Sequence, residues 1–283
     1  MRPESIVIVG TGRLACNCLE ACLGYALPVT CVESEKQAFS PLAALCRKRG
    51  VKYEMILERE RLANLFLSIT KPTLVVSSFN YFLFPRKVLE NRALNVINFH
   101  NSLLPEHRGR NAPSWSIFAM ETATGVTWHQ VHAEVDTGDI IAQKQIEIGP
   151  DITALELTLK TLDVAAQMFQ EILPSLASGS YSCTRMVRSG KESLHRAADV
   201  PNGGMLDLGW GIEKAYAFLR AMDYGKFRVF PAPKVRILER DLPVASYRFE
   251  RSASTVTDGI SIALSGKQLA LSNGDKKLLL NCE

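Results

Sequence analysis

Ile6-Val7-Ile8-Val9-Gly10-Thr11-Gly12-Arg13-Leu14-Ala15 sets four consecutive apolar residues against a pair of glycines and the opening of a helix. A short apolar run without polar alternation reads as a strand buried on both faces. The glycines allow the tight turn that carries such a strand straight into a helix, here from Leu14 to Leu23. Working outward, Pro28 to Val32 reads as a second strand and Ser40 to Arg49 as a second helix stopped by Gly50. Arg61 to Ile69 reads as a third helix, Thr73 to Ser77 as a β-branched strand, Pro85 to Asn91 as a short helix, and Asn95 to Phe99 as another strand. Strands alternating with helices at this spacing predict an α/β fold: a Rossmann-like, mostly parallel sheet with helices on both faces.

The pattern changes at Gly125. Val126, Trp128 and Gln130 alternate with Thr127, His129 and Val131, and Ile140 to Ile148 is a further strand, so these runs are expected to add antiparallel strands to the sheet. A long helix follows from near Thr153 to Gly179, with Leu155, Leu159, Leu162, Ala166, Phe169 and Leu173 on one stripe. Residues 181–205 read as a linker, since Pro201, Asn202, Gly203 and Gly204 interrupt a polar, irregular stretch. Beyond it lie a short helix, Ile212 to Met222, and strands at Lys234 to Leu238, Ser246 to Glu250, Ile260 to Leu264, Gln268 to Leu271 and Lys277 to Leu280. Turns at Asp258-Gly259, Ser265-Gly266 and Asn273-Gly274-Asp275 separate them. The expected organisation is therefore a catalytic domain over 1–180 and a small β-rich, OB-like domain over 206–283. The last strand runs almost to Glu283, which raises the expectation of a piece cut from a longer synthetase.

Composition narrows the function classes. Of 283 residues, 47% are hydrophobic and 22% charged, the profile of a globular protein rather than a disordered or fibrous one. Lys plus Arg number 33 against 29 Asp plus Glu, a net charge of +4 without basic clusters, which argues against a nucleic-acid partner. No stretch has the roughly 18 to 20 apolar residues of a membrane span, and the start is too brief for a signal peptide. Seven cysteines, an odd number without framework spacing, suit a reducing cytoplasm. Cys16, Cys18 and Cys22 read as small helix residues rather than a metal site, because helical spacing points Cys16 away from Cys18.

Two constellations carry chemistry. Gly10-x-Gly12-x-x-Ala15 after a strand, with Glu33 ending the next one, has the form of a dinucleotide fingerprint, the acid placed for a ribose hydroxyl. The same glycines also serve any tight strand-to-helix turn. The second constellation lies between residues 96 and 139. Asn98 and His100 are two apart on a strand and share a face at its C-terminal end, where open α/β sheets hold their ligands. Asn101-Ser102-Leu103-Leu104-Pro105 and Arg108-Gly109-Arg110 follow as a turn-rich loop, and Asp136-Thr137-Gly138-Asp139 is a second tight loop. An amide donor, an imidazole and a carboxylate together can stabilise an oxyanion and move a proton. His129 and His132 form H-x-x-H, but an odd separation on a strand sends them to opposite faces, so no metal is expected.

Asn98-Phe99-His100-Asn101-Ser102-Leu103-Leu104-Pro105, Arg108-Gly109, Gly125-Val126-Thr127-Trp128-His129 and Asp136-Thr137-Gly138-Asp139-Ile140 closely resemble the 10-formyltetrahydrofolate-dependent formyltransferases. The resemblance covers residues 1 to about 180, and the rest more loosely. It implies that Asn98, His100 and Asp136 are catalytic, with His100 and Asn98 stabilising the oxyanion formed when an amine attacks the formyl carbon. Asp136 would support the imidazole or order a water. It also displaces the nicotinamide reading and implies 10-formyltetrahydrofolate as formyl donor. The folate is expected along Phe79, Tyr81, Phe82, Leu83 and Phe84, with Leu104, Val135 and Asp139 opposite. An aromatic run ahead of Pro85 can equally be core.

The acceptor amine is expected to approach Ser102, Arg108, Arg110, Trp115 and His129. The two arginines are suited to a phosphate, and Trp115 and Trp128 to forming an apolar wall. Within this family an initiator-tRNA acceptor fits poorly, since Val32 to Gly50 is short and Arg108 to Trp115 departs from that pattern. Leu219 to Gly225 followed by Pro231-Ala232-Pro233-Lys234 resembles the nonribosomal-peptide formyltransferases. The expectation is therefore an amino acid building block, free or bound to a carrier protein and with a peptide synthetase as partner. An amino-sugar nucleotide is the alternative.

Overall fold

In the computed structural model, which describes residues 1–187, 190, 192–237, 239–251 and 261–283, the chain divides into two compact units. Met1–Gly109, Gly125–Ile146 and Leu159–Leu194 form the first, and Arg110–Thr124, Glu147–Thr158 and His195–Glu283 the second.

The apolar run at residues 6–9 becomes β1 (Ser5–Gly10), in which Ile6, Ile8 and Val9 are fully buried. Its neighbours are β2 (Val29–Glu33), β3 (Lys52–Met55), β4 (Thr73–Ser78) and β5 (Leu94–His100), all parallel, in the order β3-β2-β1-β4-β5. The crossovers are α1 (Gly12–Cys22), α2 (Pro41–Arg49), α3 (Arg59–Leu67) and α4 (Arg86–Leu89). Helix α2 starts where the Ser40 hydroxyl accepts from Ala43 N–H and stops at Gly50, whose φ of 66° suits glycine. The strand order reverses between β1 and β4, so the C-terminal ends of β1, β4 and β5 face a crevice.

Chain direction then changes. The two-residue strand β6 (Arg108–Gly109) and helix α5 (Ala112–Phe118) lead into β7 (Ala123–Gln130), which pairs antiparallel with β5, and β8 (Ile140–Glu147) completes a mixed seven-stranded sheet. The long helix α6 (Ala154–Ser178) follows. One face of the sheet packs Val7, Val9, Val75 and Val96 against Leu62 and Phe66 of α3. On the other face, Trp128 is fully buried with its ring centroid 5.9 Å from that of Phe99 and 5.2 Å from that of Phe169 on α6. Its indole N–H donates to the Ala165 carbonyl at 3.1 Å, so Trp128 is core and not the wall of an acceptor cleft. Cys18 and Cys22 are fully buried in α1, and burial pushes both thiols up.

The second unit contains the two-residue strand β10 (Met205–Leu206), α7 (Ile212–Met222) and strands β11 (Lys234–Ile237), β12 (Arg240–Arg251), β13 (Ser261–Ser265), β14 (Gln268–Asn273) and β15 (Lys276–Cys282). A further two-residue strand, β9 (Leu194–His195), precedes β10. The six-stranded sheet runs β10-β11-β12-β15-β14-β13 and is antiparallel apart from the β10–β11 pair. Ile212, Phe218 and Leu219 of α7 fill its inner face with Val235, Leu269, Leu278 and Leu280. Strand β12 is much longer than the expected Ser246 to Glu250, because a register shift between Val244 and Ser246 lets it bend and keep pairing. Leu238, Ile260 and the Asp258-Gly259 turn lie outside the described residues. The strand β3 and helix α5 carry weak sequence signals: β3 alternates without deeply buried residues, and α5 opens with Ala112-Pro113 after Asn111 in the left-handed region.

Candidate active site

Strand pairing brings Asn98 opposite Ser77 of β4 on one side and His129 of β7 on the other, with His100 opposite Thr127. Alternation on β5 gives Asn98 and His100 one face, and the loop after β7 returns Asp136 to them. His100 Nδ1 lies 3.4 Å from Asp136 Oδ2, and His129 Nε2 lies 3.5 Å from Asp136 Oδ1. The Asn98 amide nitrogen donates to His129 Nε2 at 3.1 Å. Asp136 has a φ of 51°, and its Oδ2 accepts the Gly109 N–H at 2.8 Å, which pins the loop around the carboxylate. The sequence-derived triad therefore converges, with His129 as a fourth member between its amide and its acid.

Proton positions follow from the partners. His100 Nε2 is 2.9 Å from the His107 carbonyl, an acceptor only, so the neutral ring carries its hydrogen there and turns a lone pair at Nδ1 toward Asp136. Burial lowers the His100 pKa below its ordinary value, against the attraction of Asp136, with His129 adding to the lowering. Burial alone would raise the Asp136 carboxyl. His100, His129 and the Gly109 N–H outweigh it and hold the carboxyl well below the usual carboxylate range. At neutral pH the site thus holds a carboxylate beside a neutral imidazole whose open nitrogen faces it. That arrangement can accept a proton and stabilise the resulting cation.

The other sequence-derived residues separate into groups. Phe82 and Phe84 are buried against Phe66, with centroids 6.1 and 5.3 Å from it, so their rings belong to the core. Phe79 and Tyr81 are half-buried and 6.0 Å apart, and Leu83 is 64% exposed. These three side chains, unlike the two phenylalanines, stay at the surface of the loop after β4. Leu104 is buried, its N–H donating to Thr127 Oγ1 at 3.2 Å and its carbonyl accepting from Gln143 at 2.8 Å. Val135 and Asp139 are half-buried on either side of Asp136. Ser102 turns inward, fully buried, and donates to the Glu106 carbonyl, which closes the loop after β5 rather than presenting a hydroxyl to a ligand. Arg108 donates to Glu134 at 3.1 Å while its buried Nε lacks a partner among the described residues. In the second unit, Arg110 N–H donates to the His195 carbonyl at 2.8 Å, and Trp115 stacks on His195 with centroids 4.1 Å apart and planes 7° apart. His132 is exposed, away from His129. Among the described residues no cluster of His, Cys, Asp or Glu is placed to hold a metal ion.

The glycine motif has a structural role. A Cβ on Gly10 would stand 1.8 Å from the Ser78 carbonyl oxygen, so β1 and β4 can approach only with glycine there. Glu33, the supposed ribose acid, is fully buried and accepts from Thr11 Oγ1 at 2.9 Å and Tyr53 Oη at 2.6 Å. Both its oxygens are engaged inside the protein, which removes the basis of the nicotinamide reading. Sequence reasoning missed Ser77, whose hydroxyl donates to Asn98 Oδ1 at 2.7 Å, and the His107 carbonyl. Only the pairing of β4 with β5 could have exposed the first. Main-chain groups carry no sequence signal for the second.

Residues 28–173, just over half of the chain, match the formyl transferase family. The GDP-perosamine N-formyltransferase of Brucella melitensis is 24% identical over 226 residues, 78% of this chain and 86% of that protein. Among solved structures, an N-formyltransferase from Helicobacter canadensis, in complex with folinic acid and dTDP-3-aminofucose, superposes with a TM-score of 0.75 at 16% identity over the whole of both chains. A 4-N formyltransferase from Francisella tularensis gives 0.69 at 18% identity, over 86% of this chain and 97% of its own.

Proposed function

The chain belongs to the formyl transferase family, and from that premise we propose that it transfers the formyl group of 10-formyltetrahydrofolate to the primary amine of a nucleotide-linked amino sugar. The observation that carries the chemistry is the convergence of Asn98, His100, His129 and Asp136 at the end of β5. The similarity to formyltransferases whose names or bound molecules specify amino sugars supports the acceptor class. It replaces the expectation of a peptide building block on a carrier protein, for which no relative described above speaks.

The amine nitrogen bonds to the formyl carbon, and the formyl oxygen takes up the electron pair. Asn98, half-buried at the strand end, has two amide hydrogens; one meets His129 and the other stabilises that oxygen. The amine's proton passes to His100 Nδ1, directly or through one water, and Asp136 pairs with the imidazolium so formed. Collapse breaks the bond from the formyl carbon to N10 of the folate, N10 takes the proton back, and the formamide and tetrahydrofolate leave. The pterin end lies along Phe79, Tyr81 and Leu83 with Val135 and Asp139 opposite. Arg108 offers its guanidinium group to the acceptor's phosphates.

Mass spectrometry of reactions with 10-formyltetrahydrofolate tests the proposal, using nucleotide-linked amino sugars, free amino sugars, free amino acids and a carrier-loaded amino acid at matched concentration. Formylation should be strongest for a nucleotide-linked sugar. Preference for the carrier-loaded amino acid would overturn the acceptor class, and no transfer to any amine would overturn the activity.

A further inference from the structure

The amide of Asn98 stands in the middle of a hydrogen-bond chain that begins in the loop after β4. The Phe82 backbone N–H can only donate, and it meets Asn80 Oδ1 at 3.0 Å. That fixes the Asn80 amide with its nitrogen toward Ser77 Oγ, 3.3 Å away. A hydroxyl has a single hydrogen. Having accepted from Asn80, Ser77 donates it to Asn98 Oδ1 at 2.7 Å. Asn98 is thereby turned with its NH2 toward His129 Nε2 at 3.1 Å. His129, accepting there, keeps its own hydrogen on Nδ1, 2.7 Å from the Gln130 carbonyl. Every link runs in one direction, from a backbone N–H at one end to a backbone carbonyl at the other. Reversing either amide would set like groups face to face.

We propose that Ser77 is a positioning residue: its hydroxyl fixes the orientation of the Asn98 amide and ties it, through Asn80, to the loop on which the formyl donor is placed. Ser77 is 2% exposed and His129 1%, so the groups on either side of the half-buried Asn98 amide are shielded from solvent, where hydrogen bonds hold geometry best. Without the hydroxyl, Asn98 Oδ1 loses its donor and the amide can rock about χ2, while His129 still holds the nitrogen end. The consequence for rate rests on the formyl-transfer reading; the orientation of the amide does not.

The experiment compares wild type, Ser77→Ala and Ser77→Thr in two measurements. In the first, the side-chain NH2 of Asn98 is followed by NMR, assigned by its loss in Asn98→Asp. The proposal expects a shifted, more rapidly exchanging NH2 in Ser77→Ala and a return toward wild type in Ser77→Thr. In the second, steady-state kinetics should give a kcat lower by about 10- to 100-fold in Ser77→Ala, as small misplacements of a reacting group do. KM for 10-formyltetrahydrofolate should stay within about twofold, because the lost term acts on orientation rather than on uniform binding. Unchanged Asn98 resonances would overturn the proposal. So would a parallel fall of kcat, folate affinity and melting temperature that Ser77→Thr does not reverse, since that is a purely structural effect. If wild type formylates nothing, the transfer reading falls, and the NMR comparison still decides whether Ser77 holds Asn98.

Discussion

At the scale of single residues, His100 is a buried, neutral base beside an ionised acid. Because burial lowers its pKa, the neutral form persists below the ordinary histidine range, and kcat should stay level down to about pH 6.5 and fall only below it. The unfolded chain takes up a proton at this residue at a higher pH than the folded one. The stability it contributes is therefore present above about pH 6.5 and lost as pH falls, and His100→Gln should flatten that part of the profile. His100→Ala should lower kcat by about 10² to 10³, the usual cost of a group acting on the transition state, and leave folinic acid affinity nearly unchanged. Near-normal turnover in that variant would exclude the proton path through Nδ1. Asp136→Asn keeps the shape and the bond from Gly109 but removes the charge opposite Nδ1, and should lose rate in the same measurement. The three residues were legible in the sequence through the resemblance to the formyltransferases, since an Asn-x-His pair by itself reads as readily as a satisfied core pair. The direction of the hydrogen bonds was not, since it depends on main-chain groups such as the Phe82 N–H and the His107 carbonyl.

At the scale of elements, the site depends on one strand end and on the loop that returns to it. A Cβ on Gly138 would meet the Gln130 carbonyl oxygen at 1.7 Å, so Gly138→Ala must push the 136–139 loop away from β7. The expected result is loss of turnover of about 10²-fold or more, because the Asp136 carboxylate moves with its loop, while far-UV circular dichroism stays native. Trp128→Ala belongs to the other face of the same sheet. It should cost about 3 to 5 kcal/mol in denaturant unfolding, the range for emptying a large aromatic site. Trp128→Phe, which keeps most of the volume but not the donor to Ala165, should cost less. These elements also mark how far periodicity carries. The buried runs of β1 and β4 read as a parallel sheet because helical stretches alternate with them, and the stripe on α6 reads as a helix. The aromatic run 79–84 was ambiguous because a half-exposed loop and a core segment use the same residues. Only the packing of Phe82 and Phe84 on Phe66 divides it, and nothing in the order of the residues states which ring turns inward.

At the scale of the whole molecule, the decision between a dinucleotide and a folate is one of which crevice the sheet leaves open. The fold places ligands outside the C-terminal ends of β1, β4 and β5 at the reversal of strand order, and both readings of the sequence drew on that same edge. The glycine turn is used to bring β1 against β4, and Glu33 is closed off by Thr11 and Tyr53. A ribose would have to break two buried hydrogen bonds to reach that carboxylate, whereas Leu83, in the loop after β4, is already exposed. A ligand that binds only the folded state adds about 2.7 kcal/mol at 100 times its dissociation constant. For a body of this size that corresponds to a rise of about 5 to 10 °C in melting temperature. Folinic acid should produce it, and NADH or NADPH at equal concentration should produce none. Every residue proposed to touch the folate lies in the first unit, so if calorimetry resolves two transitions, only the one assigned to that unit should move. Stabilisation by NADH with folinic acid inert would return the glycine motif to a dinucleotide and remove the formyl donor from the cleft. Movement of the second unit's transition alone would place the folate on residues other than the loop after β4.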